Sequence, residues 1–131
     1  MRNHFPSTLL LFGLTLFLVN AQWAVAQNPV SSPTEISADL GTCSALINVT
    51  GADSKPIYNA KVTTRIRYGA MGVKKLDLET YTSANGQAKF VKLPEVPKKP
   101  IYFYVSKDDK LEMVEFKPDV RCQATLDVQL K

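Results

Sequence analysis

The stretch Lys74–Phe90 reads KKLDLETYTSANGQAKF and carries two alternating runs on either side of an Asn-Gly pair. In the first run, every second residue is apolar or threonine: Leu76, Leu78, Thr80 and Thr82. Alternation with a period of two is typical of a strand that buries one face. An Asn-Gly pair between two such runs is a strong hairpin signal, so the sequence predicts a β-hairpin at Asn85-Gly86.

The same period recurs along most of the chain. The further alternating runs are 43–49, 62–68, 88–92, 101–105, 111–116 and 122–130. The polar stretch Ser106–Lys110 predicts a second hairpin between two of them. No helical period of useful length is present beyond residue 26. Seven short strands at this spacing predict an all-β fold, a seven-stranded antiparallel Greek-key sandwich.

The first 26 residues have the three parts of a secretory signal peptide. Arg2 gives a positive start, Leu9–Val19 is an uncharged apolar run, and Ala24-Val25-Ala26 offers small residues for cleavage. The apolar run is too short to span a membrane, which takes about twenty residues. An uncleaved N-terminal anchor is the alternative. We expect a secreted or periplasmic protein with no transmembrane segment in its mature chain.

Cleavage after Ala26 would remove the only histidine, His4, and the only tryptophan, Trp23. Residues 27–42 contain Pro29 and Pro33 without a sustained period, which predicts a flexible N-terminal segment. The folded domain is then expected over residues 43–131. Without an imidazole, the mature chain offers no metal-binding motif, and we expect no catalytic residue, no bound metal and no cofactor.

The chain has two cysteines, Cys43 and Cys122, and each shares the parity of the apolar residues in its run. In an exported protein an even cysteine count predicts a disulfide, which would link the first and last strands. Two free thiols or an intermolecular bridge are the alternatives. The chain has 16 basic and 12 acidic residues, and its lysines are spread among acids, so no nucleic acid partner is expected.

Two stretches resemble a known family. Val49–Val62 resembles the opening of a carboxypeptidase regulatory-like domain of the transthyretin-like or prealbumin-like type, and Thr80–Phe90 resembles the later Asn-Gly-containing segment of that family. Leu93-Pro94 and the run at 102–105 fall where the family continues, so the resemblance covers residues 43–131. It implies an immunoglobulin-like or transthyretin-like sandwich that serves as a non-catalytic accessory module.

Two outward pairs are candidates for a contact surface. Tyr102 and Tyr104 lie opposite the apolar residues of their run, and aromatic planes suit sugar rings or a protein partner. Arg65 and Arg67 form a similar pair, suited to carboxylate or phosphate groups. Ordinary surface residues on strands are the alternative for each pair, since tyrosine has a high strand propensity.

These observations favour a non-catalytic exported module that acts in binding or structural support at the cell envelope or outside the cell. Its partner would be a protein or a glycan. A small secreted hydrolase is the alternative. The resemblance implies no activity, because the hydrolase of the transthyretin-like group uses histidines, and this chain ends Val128-Gln129-Leu130-Lys131 rather than with that enzyme's Tyr-Arg-Gly-Ser.

Overall fold

The computed structural model describes residues 31–131, which form two four-stranded sheets packed face to face. The strands are β1 (Thr34–Ser37), β2 (Cys43–Gly51), β3 (Lys61–Tyr68), β4 (Lys74–Tyr81), β5 (Gln87–Leu93), β6 (Ile101–Lys107), β7 (Lys110–Phe116) and β8 (Gln123–Leu130). The order is β1-β5-β2-β8 in one sheet and β4-β3-β6-β7 in the other. A short 3₁₀ turn at Ala70–Gly72 is the one helical element in this part of the chain.

The period-two pattern is confirmed as the basis of the core. Each of the seven predicted strands is present with its ends within two residues of the expected ones, and the predicted faces turn inward except at Lys92. The largest fully buried side chains come from both sheets: Phe90, Phe103, Phe116, Ile47, Ile66, Leu93, Ile101 and Leu130. The Phe90 and Phe103 ring centroids lie 4.7 Å apart, so aromatic packing joins the two sheets.

The prediction of seven strands, all antiparallel, is wrong in two respects. The described residues hold eight strands, because β1 forms inside the segment 27–42 for which no strand was predicted. This strand is only four residues long, which is too short for a periodic signal, and it pairs in parallel with β5. The strands β2 and β8 also pair in parallel, so the sheet β1-β5-β2-β8 is mixed.

The predicted hairpin at Asn85-Gly86 is also wrong, although the turn itself is present. Ser83 accepts a hydrogen bond from the Gly86 amide at 2.8 Å and donates one to the Gln87 carbonyl at 2.9 Å. The strands on either side belong to different sheets, so the turn carries the chain from one layer to the other. The predicted hairpin over Ser106–Lys110 is confirmed, since β6 and β7 pair and Lys107 lies opposite Lys110.

The disulfide between Cys43 and Cys122 is confirmed, with the two Cα atoms 4.6 Å apart. Cys43 begins β2 and Cys122 directly precedes β8, so the bridge lies where these parallel strands begin. The bridge therefore joins the second strand, rather than the first, to the last.

Beside the disulfide, β5 contains one extra residue relative to β2. Cys43 pairs with Leu93, whereas Ala45 pairs with Phe90. Lys92 takes a left-handed backbone, with φ 53°, and is exposed. Because of this bulge, the Leu93 side chain faces inward. Without it, continued alternation would have placed the Lys92 side chain in the core.

The predicted signal peptide over residues 1–26 and the first residues of the 27–42 segment lie outside the described residues. Within residues 31–131, no helix has the length and apolar character that crossing a membrane requires.

Candidate binding face

The two outward pairs predicted from the sequence lie on neighbouring strands of one sheet. Arg65 and Arg67 belong to β3, and Tyr102 and Tyr104 belong to β6, which pairs antiparallel with β3. The register matches Thr63 with Tyr104, which sets Arg65 beside Tyr102 at the next outward position. All four side chains therefore lie on the outer surface of the sheet β4-β3-β6-β7, which we call the outer face.

A depression of about 260 Å³ on the outer face brings the four residues together, and we call it the Tyr-Arg groove. Its lining consists of Arg65, Arg67, Lys99, Pro100, Tyr102 and Tyr104. A second depression of about 550 Å³ adjoins it and shares Arg65 and Tyr104 with it. The second depression is lined by Thr63, Thr64, Arg65, Asp77, Leu78, Glu79 and Tyr104, and so extends over β4. Both depressions are open to solvent.

The two arginines differ in their partners. Arg65 donates from Nε to Asp77 Oδ1 at 2.6 Å and from Nη2 to Oδ2 at 3.2 Å. These hydrogen bonds lower the pKa of Asp77 and raise that of Arg65. Arg67 forms no ion pair with any residue in 31–131 and lies opposite Lys75. The positive charge available to an anionic partner at the groove is therefore that of Arg67 and the neighbouring lysines.

The outer face continues across β7 with apolar side chains that the sequence analysis did not select. Tyr104 is 42% exposed and pairs with Met113, which is 55% exposed. Leu111, two residues before Met113 on the same face, is 65% exposed. The alternation in the run 111–116 could have identified these side chains. Val114 and Phe116 face inward, so Leu111 and Met113 must face outward. Lys99 was also missed, since it lies in the proline-rich connection before β6.

The acidic side chains of the described residues favour their charged forms wherever a pKa shift is resolved. The pKa of Asp39 is lowered by a hydrogen bond from Ser37 and by Lys92, and the pKa of Glu95 is lowered by hydrogen bonds from Thr42. A general acid needs the opposite shift, a carboxyl pKa raised toward neutrality. Among residues 31–131, no three His, Cys, Asp or Glu side chains are grouped so that they could hold a metal ion.

Comparison with known proteins gives a fold-level likeness alone. No protein-family model matches the chain, and no curated protein matches it significantly. Among solved structures, catechol 1,2-dioxygenase from Acinetobacter sp. ADP1 is similar over 77% of this chain and 59% of its own, with 14% identity and a TM-score of 0.47. The Bacillus anthracis TIE protein is similar over 69% of this chain and 16% of its own, with 15% identity and a TM-score of 0.43. This chain thus spans less than two thirds of the length of either protein.

Proposed function

We propose that the protein is a non-catalytic exported module that binds a protein or glycan partner through the outer face. The observation that carries the proposal is the convergence of Arg67, Tyr102 and Tyr104 in one open groove. The exposed ring of Tyr104 and the partly exposed ring of Tyr102 offer flat apolar surface with a polar edge, which is the chemistry of carbohydrate and protein contacts. A free guanidinium beside them suits a carboxylate on that partner, because its planar donors can bind both oxygens.

We also propose that the chain is a member of the carboxypeptidase regulatory-like, transthyretin-like group. Its support is the resemblance of Val49–Val62 and Thr80–Phe90, together with a two-sheet sandwich over residues 43–131. The disulfide supports a location in an oxidising compartment, either outside the cell or in the periplasm. In this proposal the protein is an accessory module, and its role is set by the partner that the outer face binds.

The test is a binding screen of the purified protein against neutral and carboxylate-bearing glycans and against partners identified by chemical cross-linking on the producing cells. The Tyr102→Ser/Tyr104→Ser double variant should lose the binding that the screen detects and keep the parent melting temperature. Tyr58→Ser is the matched control, since Tyr58 is 66% exposed and lies in the β2–β3 connection, away from the outer face. Binding that survives in the double variant would remove the outer face from the proposal.

A further inference from the structure

One end of the sandwich has four connections, of which the β1–β2 connection (38–42) contributes one charged residue, Asp39, and the other three meet in one surface. They are the β3–β4 connection with the start of β4 (residues 69–75), the β5–β6 connection (94–100) and the β7–β8 connection (117–121), and together we call them the basic end. Gly72 approaches Lys98 so closely that a Cβ on Gly72 would lie 3.0 Å from the lysine Cβ. One depression is lined jointly by residues 96–100 and Asp119, and another by Pro97, Pro100 and residues 115–120. The three connections thus form one continuous surface.

Exposed apolar side chains are concentrated on the basic end. Met71 is 92% exposed, Val73 72%, and Val96 and Val120 78% each. Met71 has a left-handed backbone, with φ 56°, and stands in a tight turn between two glycines of positive φ, Gly69 and Gly72. This turn holds the methionine in solvent at the tip of the connection rather than against the core. Large apolar side chains so completely exposed at one end of a fold are typical of an interaction site.

Positive charge surrounds these apolar tips. The basic end carries six cationic side chains, Lys74, Lys75, Lys98, Lys99, Lys117 and Arg121, against two acidic ones, Glu95 and Asp119. Among the residues that the structure describes, only Lys117 of the six forms an ion pair, with Glu115 at 3.9 Å.

The connections at the opposite end are balanced in charge. Residues 52–59 have one lysine and one aspartate, and residues 107–110 have two of each. The positive charge is therefore a property of one end of the fold, not of the whole surface.

We infer that the basic end docks on an anionic lipid surface. A soluble polyanion would bind the lysines but would leave Met71 and Val73 in water. A lipid bilayer with anionic headgroups offers both a negative surface for the lysines and an apolar interior within reach of the tips. This site adjoins the Tyr-Arg groove and shares Lys99 and Pro100 with it, whereas Met71 and Val73 lie outside the lining of the groove.

The test is co-sedimentation of the purified protein with vesicles of phosphatidylcholine, with and without phosphatidylglycerol. Binding should require phosphatidylglycerol. The Lys74→Glu/Lys75→Glu variant should weaken binding at least about 25-fold, because each lysine near an anionic surface contributes a factor of about five. Lys55→Glu/Lys110→Glu makes the same change in net charge at the opposite end and should keep the parent affinity. Equal losses of vesicle affinity in the two variants would show that net charge alone determines binding, and would overturn the docking site.

A second pair of variants separates a lipid surface from a soluble polyanion. Met71→Ser/Val73→Ser leaves the charge unchanged and should weaken vesicle binding without changing the melting temperature. In the Met71→Trp variant, the fluorescence of the new tryptophan should shift to the blue when anionic vesicles are added. In Tyr58→Trp, at the opposite end, the tryptophan fluorescence should not shift. Parent-like vesicle binding by the serine variant, with full competition by inorganic polyphosphate, would assign the basic end to a soluble polyanion and overturn the inference.

Discussion

Arg65 and Asp77 face each other across β3 and β4 and form a two-point ion pair, with the Arg65 nitrogens 2.6 and 3.2 Å from the two carboxylate oxygens. Both side chains are about half exposed. Pairs of this kind contribute little to stability because solvent screens them. The pair matters more for the outer face, since it gives Arg65 an ion-pair partner, whereas Arg67 forms no ion pair with any residue in 31–131.

The pKa of Asp77 should rise toward 3.8 when Arg65 is replaced by glutamine, because the hydrogen bond from Arg65 is the largest cause of its lowering. Folding lowers this pKa, so the carboxylate stabilises the folded state above the unfolded value of 3.8, and the contribution is lost as the pH falls through the folded value. A carboxyl titration followed by NMR measures the change. Lys61→Gln removes a charge from the same strand without touching Asp77, and should leave its pKa low.

Replacing both Cys43 and Cys122 with alanine should lower the free energy of unfolding by about 2–5 kcal/mol, as is usual for a small disulfide-bonded domain. The bridge closes a separation of 79 residues, so its loss releases a long segment of the unfolded chain. Denaturant titration gives the change, and mass spectrometry of the unreduced protein checks the bridge itself. A covalent dimer in that spectrum would contradict the intramolecular pairing.

Thr82→Val should destabilise the fold by about 1–3 kcal/mol, although the two side chains have nearly the same shape. The buried Thr82 hydroxyl accepts from the Ala60 amide at 2.8 Å and donates to the Ile57 carbonyl at 2.6 Å. Valine leaves both backbone groups without that partner. Thr82→Ser keeps the hydroxyl and should recover part of the loss, and equal melting temperatures for the two variants would contradict this role.

Gly86→Ala should cost about 2–5 kcal/mol, of which about 1–2 comes from the left-handed backbone and about 1–3 from crowding. Gly86 has φ 71°, and a Cβ there would lie 2.5 Å from the Val49 carbonyl oxygen. Gly69→Ala is the control: its φ is 77°, but the nearest atoms to its Cβ belong to the flexible Lys74 side chain at 3.3 Å. The melting temperature of Gly86→Ala should therefore be well below that of Gly69→Ala.

The elements of this fold were predictable from the sequence, and their assignment to sheets was not. Alternation identifies a strand and its buried face, which is why Cys43, Arg65 and Tyr104 all point as expected. It carries no information about which strand pairs with which, because strands of both sheets have the same period. Asn85-Gly86 illustrates this limit, because the local turn forms but its two strands belong to different sheets. Just before the turn, Thr82 forms hydrogen bonds with the β2–β3 connection. The residues of the turn alone cannot reveal this change of sheet.

The candidate binding face was predictable in part for the same reason. Parity placed the arginines and tyrosines outward, and the pairing of β3 with β6 then brought them together. The pairing of Arg65 with Asp77, and with it the difference between the two arginines, depends on the β3–β4 register. The basic end arises from three connections that are distant in sequence, so no single stretch carries its signal.

The parallel pairing of β2 with β8 has a consequence for the order in which the protein can fold. Synthesis proceeds from the N-terminus, so β2 is available long before β8 has emerged. Until then β2 has only β5 as a neighbour, and one of its backbone edges lacks a partner. The sheet can close only when the last strand arrives, and oxidation of the two thiols must wait for the same event. This sheet is thus completed only after the last strand has been synthesised, and a chain lacking β8 should be a substrate for chaperones that recognise unpaired strand edges.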